Sequence, residues 1–411
     1  MASATPPLSR ALAGAWPLVG RDADSAAIAA GRDDDGRRAA HDLRLVEPLS
    51  IVSLFQRGRA REAWARVRER RPAVPATDVG ERLRLFTWSL VGIEGGEDWP
   101  AVDAVMGDTL RLGVRHEDHE AAGLAAFSLG QLCFLRGRYA DARRRLVEAT
   151  LHLEHQDAFG TLIAVRALEV GIAEASGDLA AAGAGLERVR AGLDGRVVLP
   201  HQLLDSARAE GWAAAARGDR RAARQALLAG AEQLDADASR WGALLRYEAL
   251  RAGAPASALA PAIEAAAQCT DARLVAAFAC HARALAGRDA LAMLDAAAAF
   301  QAIGADRFAV RAAADAAARF VDEGRPDSAR RAAALASELH ADAQGAEPPV
   351  IDGLDAVAVA LTPRERQLAA LASKGLSNAA IAALLALSVR TVESHLYRAM
   401  HKRGVSDRRD L

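Results

Sequence analysis

The chain has 411 residues, with 52 Lys and Arg against 53 Asp and Glu and a formal net charge of −1 at pH 7. That length allows two or three domains with a sizeable core, and the balanced charge excludes a protein that is strongly basic or acidic throughout. No apolar run reaches the ~18 residues that span a bilayer, and the N-terminus, MASATPPLSRALAG, lacks a basic region followed by an apolar one. A cytoplasmic protein with no membrane partner is expected.

Residues 1–45 carry Pro6, Pro7, Pro17 and a Gly- and Asp-rich stretch around Gly31 to Gly36, and show little periodicity. They read as a mobile arm, with a short helix near Ser25 to Ala30.

From residue 46 to 342 an internal repeat runs through the chain. A glycine followed at +5 by alanine recurs at Gly58/Ala63, Gly96/Ala101, Gly137/Ala142, Gly177/Ala182, Gly218/Ala223, Gly253/Ala258, Gly287/Ala292 and Gly324/Ala329. A helix-length segment lies on each side. Glycine ends a helix in the left-handed conformation without steric cost, and alanine lets the next helix pack closely. The unit is an antiparallel helix pair. The copy running from Leu129-Gly130 through Gly137-Arg138-Tyr139 and Ala142 to Leu146 and Ala149 resembles a tetratricopeptide repeat, and Gly211-Trp212 to Ala223 is the next best. An all-α fold is expected: a tetratricopeptide-like helical solenoid, then a small C-terminal helix-turn-helix domain. Such a solenoid presents a concave surface to a peptide, a subunit or a small ligand.

The body shows no catalytic signature. There is no Gly-x-x-x-x-Gly-Lys-[Ser/Thr] phosphate loop, and the two lysines, Lys374 and Lys402, both lie in the tail. Neither a Gly-x-Ser-x-Gly elbow nor a Gly-x-Gly-x-x-Gly fingerprint is present. No enzyme activity and no cofactor are expected. His116-x-x-His119 and His152-x-x-His155 each put two imidazoles on one helix face, a spacing that can ligate a metal. Neither pair has the local signature of a metal site, so none is expected. Cys133, Cys269 and Cys280 sit in apolar helical contexts and read as buried free thiols.

Residues 343–360 hold Gly345, Pro348, Pro349 and Gly353 and break the helical pattern as a linker. The tail that follows is basic: from Thr362 to Leu411 it carries a net +5, which leaves −6 for the remainder. A basic end on an acidic body points to a polyanion partner. Thr362, Pro363 and Glu365 form a capping box with proline at the first helical position, and Lys374-Gly375 reads as a C-terminal stop. Ser377 caps a second helix with Ile381, Leu384 and Leu385 facing inward. Ser388 caps a third, whose Val392, Leu396 and Ala399 or Met400 form a buried stripe opposite Arg390, Ser394, Tyr397 or Arg398, and His401. A short last helix is expected over Asp407 to Leu411. Helix, short turn and a helix with a basic outer face make a helix-turn-helix, whose second helix enters the major groove.

Four stretches resemble the DNA-binding domain of LuxR-type transcription factors: Leu361-Thr362-Pro363-Arg364-Glu365-Arg366, Gly375-Leu376-Ser377-Asn378 with Ile381-Ala382, Leu387 to Leu396, and Lys402-x-Gly404-Val405. The resemblance implies that the third helix reads DNA. Carried onto matching positions, Arg390, Glu393, Ser394 and Arg398 face the duplex, and Ser377, Ser388 and Thr391 lie near phosphates. Asn378 and Tyr397 complete the expected DNA-binding set. Val392 and His395 are given a structural role.

Two departures from the family pattern stand out. Ala379-Ala380 occupy positions where the family usually has Lys or Arg and then Glu, and the final helix, used in the family for dimerisation, is short. Large regulators of this type begin with an ATPase whose start resembles Leu18-Val19-Gly20-Arg21-Asp22, but no phosphate loop follows here. The implied function is a sequence-specific transcription regulator, acting on double-stranded DNA as a homodimer, in which the repeat body senses a protein or small-molecule effector. The alternative is an interaction scaffold whose tail binds DNA weakly or not at all.

Overall fold

A computed structural model describes residues 36–76, 79–195, 198–234, 239–341, 343, 361–403, 405 and 407–408. The fragment at 18–22, the short helix expected over 25–30, and residues 344–360 of the linker lie outside the described residues. Nineteen helices and no strand occur among them. The first helix starts at Gly36, inside the stretch read as an arm.

Sixteen helices form the body as consecutive hairpins. The first is α1 (Gly36–Gln56) with α2 (Ala60–Glu69), followed by α3 (Val79–Gly95) with α4 (Trp99–Arg115). Next come α5 (His119–Leu135) with α6 (Tyr139–Leu153) and α7 (Leu162–Ala175) with α8 (Leu179–Leu193). They are followed by α9 (Pro200–Ala216) with α10 (Arg220–Leu234) and α11 (Ser239–Arg251) with α12 (Ala256–Gln268). The last two hairpins are α13 (Arg273–Gly287) with α14 (Ala290–Gln301) and α15 (Asp306–Asp322) with α16 (Pro326–His340). Among the described residues, no single helix is long and apolar enough to cross a membrane.

Seven of the eight hairpin turns are built by the glycine the sequence marks. At Gly137, with φ +76°, the Gly137 amide donates to Phe134 O at 3.0 Å and the Arg138 amide to Cys133 O at 2.8 Å. This is a Schellman ending, which satisfies carbonyls the helix leaves open. In some hairpins an aspartate then caps the next helix, as where Asp178 accepts from the Ala181 amide at 2.9 Å, although Arg138, which precedes α6, makes no side-chain cap. The seventh turn departs from the expectation. Gly287 stays helical and Arg288 takes the left-handed conformation, φ +53°, so a residue with a Cβ makes the turn.

The two helices of a hairpin are buried differently. In α6 the buried positions are Tyr139, Ala142, Leu146, Ala149 and Leu153, a single stripe at three- and four-residue spacing. In α5 nearly every position from Glu120 to Leu135 is buried, so this helix has neighbours on all sides. They come from far along the chain: α13 packs against α3, and α15 against α5. The inner surface is therefore covered by the protein itself and is not the open concave groove expected of a solenoid.

The closure depends on glycine a second time. Gly58 O accepts from the Asp271 amide at 2.9 Å, and the Asp271 carboxylate accepts from the Arg61 amide at 3.1 Å. A Cβ on Gly58 would stand 1.8 Å from Cys269 O. Arg273 donates to Glu97 O at 3.0 Å, and Trp241 Nε1 to Glu94 at 2.6 Å.

Where the inner helices converge lies Glu248, 2% exposed. Its carboxylate accepts from Arg307 Nη1 of α15 at 2.8 Å, from Arg251 Nη1 at 2.5 Å and, at 3.5 Å, from Trp212 Nε1 of α9. The Arg307 guanidinium also lies 4.5 Å from the Phe134 ring centre of α5. Burial alone would raise the Glu248 pKa, but Arg307, Arg251 and Arg208 outweigh it and hold the carboxyl well below its usual range.

Two expectations about side chains are corrected. Cys269 and Cys280 are exposed, and Cys133 is half-buried, because the first lies in a turn and the second on the outward face of α13. His116 and His119 do not share a helix: His116 caps the end of α4 and His119 opens α5. Instead His119 Nδ1 meets His152 Nδ1 at 3.1 Å, while the His155 ring stacks on His119. Among the described residues, no group of three or more His, Cys, Asp or Glu is placed to hold a metal ion.

Gly58→Ala is expected to destabilise the protein by about 2–4 kcal/mol, from the left-handed backbone plus the overlap with Cys269. Gly218→Ala, at φ +75° with open space around it, should cost only about 1 kcal/mol, so urea denaturation of the pair isolates the long-range contact. A second expectation concerns His281, 1% exposed, whose pKa burial pushes down to about 4 from 6.5. The unfolded chain binds a proton that the fold refuses between those values, so stability falls as pH drops from 6.5 towards 4, by up to about 3 kcal/mol. The urea midpoint of His281→Phe should depend less steeply on pH across that window than the parent's.

Candidate nucleic-acid interface

The C-terminal unit is built from α17 (Pro363–Ser373), α18 (Asn378–Leu385) and α19 (Val389–Arg403). The capping box at its start forms as expected. Thr362 Oγ1 accepts from the Glu365 amide at 3.0 Å, and Glu365 accepts from the Thr362 amide at 2.9 Å. Gly375, φ +84°, follows the end of α17. Ser377 Oγ accepts from the Ala380 amide at 3.2 Å and opens α18, and Ser388 Oγ accepts from the Thr391 amide at 3.0 Å and opens α19.

The core of this unit joins Leu368 and Ala372 of α17, Ile381 and Ala382 of α18, and Val392 and Leu396 of α19. Ala399, fully buried, completes the α19 stripe and Met400 is half-buried, so of the two candidates Ala399 faces the core. One inward assignment fails: Leu384 is 62% exposed, because Ile381 and Leu385 already fill the inner side of a helix only eight residues long. Ala386 adopts φ +51°, and α19 leaves at 110° to α18. An angle of about 90–120° across a short turn is the helix-turn-helix geometry.

This geometry sorts the expected DNA-binding residues. Arg390, Glu393, Ser394, Tyr397 and Arg398 are exposed along one face of α19, with Tyr397 at 71%. Arg398 folds back, its Nε donating to Ser394 O at 3.2 Å and its Nη2 to Ser394 Oγ at 3.3 Å. Ser377 and Ser388 lie at the two helix starts, with their hydroxyls engaged as caps, and Thr391 Oγ1 is 2.7 Å from Ser388 Oγ. Asn378 is half-buried and its Oδ1 accepts from Arg408 Nη1 at 2.5 Å.

Sequence reasoning missed two arginines. Arg408, counted only as charge, donates to both Asn378 and the Leu376 carbonyl, pinning the chain end beside the start of α18. Arg364 Nη2 donates to Leu385 O at 3.4 Å, at the end of α18. The only signal for either was a basic residue in a basic segment. Of the expected last helix only Asp407 and Arg408 are described, with Arg408 in 3₁₀ conformation, and 409–411 lie outside the described residues. Half-buried His395 has its pKa lowered by burial and by Arg398, in keeping with a structural place.

Residues 359–411 match the family model of the bacterial regulatory proteins, luxR family. The C-terminal unit is a LuxR-family helix-turn-helix domain. No curated protein matches the chain. In this LuxR-family unit Ala379 and Ala380 are exposed, and Ser377 makes only one half of a capping box. Ala380→Glu should supply the other half and stabilise the full chain by about 0.5–1 kcal/mol in urea denaturation; an unchanged midpoint would show that the Ser377 amide is not available.

Proposed function

We propose that this protein is a sequence-specific DNA-binding transcription regulator, reading its operator as a homodimer through α19 under the control of the helical body. The LuxR-family domain supports the DNA-binding regulator. The observation that carries the reading of the operator is the two-sided build of α19. Val392, Leu396 and Ala399 are buried, and Arg390, Glu393, Ser394, Tyr397 and Arg398 stand exposed on the other side.

Arg390 is the main base-reading candidate. It lies in the first turn of α19, the end that enters the major groove first, and a guanidinium can donate two hydrogen bonds to guanine. Glu393 suits a cytosine amino group. Ser377 and Ser388 place the open amides of two helix starts near the phosphates. Asn378 and Thr391 hold those starts in shape. Tyr397 and Arg398 extend the contact along the groove wall.

The exposed Ala379-Ala380 favours modest affinity, since this helix start supplies no side-chain cation. If the body were only a scaffold, the purified chain would bind its own promoter region and unrelated duplexes equally weakly at every salt concentration. The regulator instead predicts nanomolar-to-micromolar binding to its promoter that falls steeply as salt rises. Arg390→Ala should lower discrimination between operator and mismatched duplexes by about 1–3 kcal/mol in competition titrations, with folding unchanged because the side chain is exposed.

A further inference from the structure

A cavity of about 140 Å³ lies where α11, the turn after it, α13 and α15 meet. Its polar lining is Tyr247, Arg251, His281, Arg311 and Asp315, and its apolar lining includes Leu250, Ala254 and Leu285. A cavity of about 150 Å³ holds benzene, so this one has room for about six heavy atoms.

The hydrogen bonds inside fix which polar groups are left over. Tyr247 OH is 2.8 Å from His281 Nδ1. The tyrosine is buried and can either donate to Nδ1 or accept from it, so the tautomer is set by what faces the other ring nitrogen. The Asp315 carboxylate lies 3.5 Å from Nε2 and favours the imidazole proton there, which leaves Nδ1 to accept from the Tyr247 hydroxyl. That ion-pair contact makes no hydrogen bond, so the buried Nε2 has no hydrogen-bond partner. Asp315 is held instead by Arg311 Nε at 3.0 Å. Arg251 gives one nitrogen to Glu248 and keeps a buried Nε without an acceptor. Two buried nitrogens at the cavity, His281 Nε2 and Arg251 Nε, are thus left without hydrogen-bond partners, and an unsatisfied buried donor costs about 1–3 kcal/mol.

We propose that this cavity is an effector site for a short-chain monocarboxylate, whose carboxylate accepts hydrogen bonds from His281 and the arginines while its alkyl chain lies against Leu250, Ala254 and Leu285. The assignment rests on the reading of the body as a sensor and names what it senses. Arg251 connects the site to the rest of the body, since it also holds Glu248, the carboxylate joining α9, α11 and α15. A carboxylate drawing on Arg251 competes with Glu248 and loosens or re-aims that junction.

The test is isothermal titration of the full chain with butyrate, its uncharged isostere butyramide, and acetate and octanoate as length controls. Butyrate is expected to bind with a dissociation constant below about 1 mM, and butyramide at least about tenfold more weakly, as loss of a charged hydrogen bond implies. Acetate should bind about tenfold more weakly for the two methylenes it lacks, and octanoate likewise because its chain is too long for a cavity with room for about six heavy atoms. Arg311→Gln, which leaves the Glu248 cluster intact, should weaken butyrate about tenfold or more. Ala256→Phe, which places a ring in the cavity, should abolish binding with helical circular dichroism unchanged. No saturable binding of butyrate up to about 20 mM, equal binding of butyramide, or full binding by both variants overturns the site. Operator affinity is measured separately with and without butyrate. Butyrate binding that leaves operator affinity unchanged upholds the site and overturns the sensing role of the body.

Discussion

The body depends on one buried carboxylate. Glu248 sits where the inner helices meet, and takes donors from α9, α11 and α15, while Arg307 carries the contact on to the Phe134 ring of α5. A charge this deep is costly unless its hydrogen bonds are filled, and here two arginines and a tryptophan fill them. Removing one partner leaves the others buried and uncompensated, so the cluster enforces one arrangement of hairpins far apart in sequence. It does so in an alanine-rich interior, where small side chains bring backbones close but specify register poorly.

The same economy governs the hairpin turns. A left-handed glycine ends one helix, and the residue after it starts the next. At Gly58 the missing Cβ also admits the Cys269 carbonyl from a hairpin more than two hundred residues on. One residue type thus serves a local and a long-range purpose, and only the second distinguishes Gly58 from Gly218. Closure by these contacts covers the inner surface of the stack. The open space left in this body therefore lies between helix ends, as at His281, and not in a broad concave groove.

The C-terminal unit works by a different balance. Its core is small, with Leu368, Ile381, Val392 and Leu396 at the centre, and caps supply much of its definition. Thr362, Ser377 and Ser388 set where each helix begins, and the left-handed Ala386 sets the 110° departure of α19. The outer face of α19 then stays exposed because the opposite stripe is anchored in the core.

Caps, stripes and turns were legible in the residues because each is a local bargain between neighbours in the chain. The Thr362–Glu365 box, the Val392–Leu396 stripe and the glycine periodicity could be read with no knowledge of what lay opposite. The same holds for Arg390, Ser394 and one of Tyr397 and Arg398 on the outer face of the third helix, whereas Glu393 entered through the family resemblance. What the chain alone could not show were pairings at long range. The hold of Arg408 on Asn378, the meeting of His119 with His152, and the closure of the body through Gly58 and Glu248 all depend on residues brought together from distant segments. A guanidinium or a carboxylate looks the same in a sequence whether solvated or buried. Only the tertiary structure decides which, because desolvation and partner geometry, rather than residue identity, set the energy of the charge.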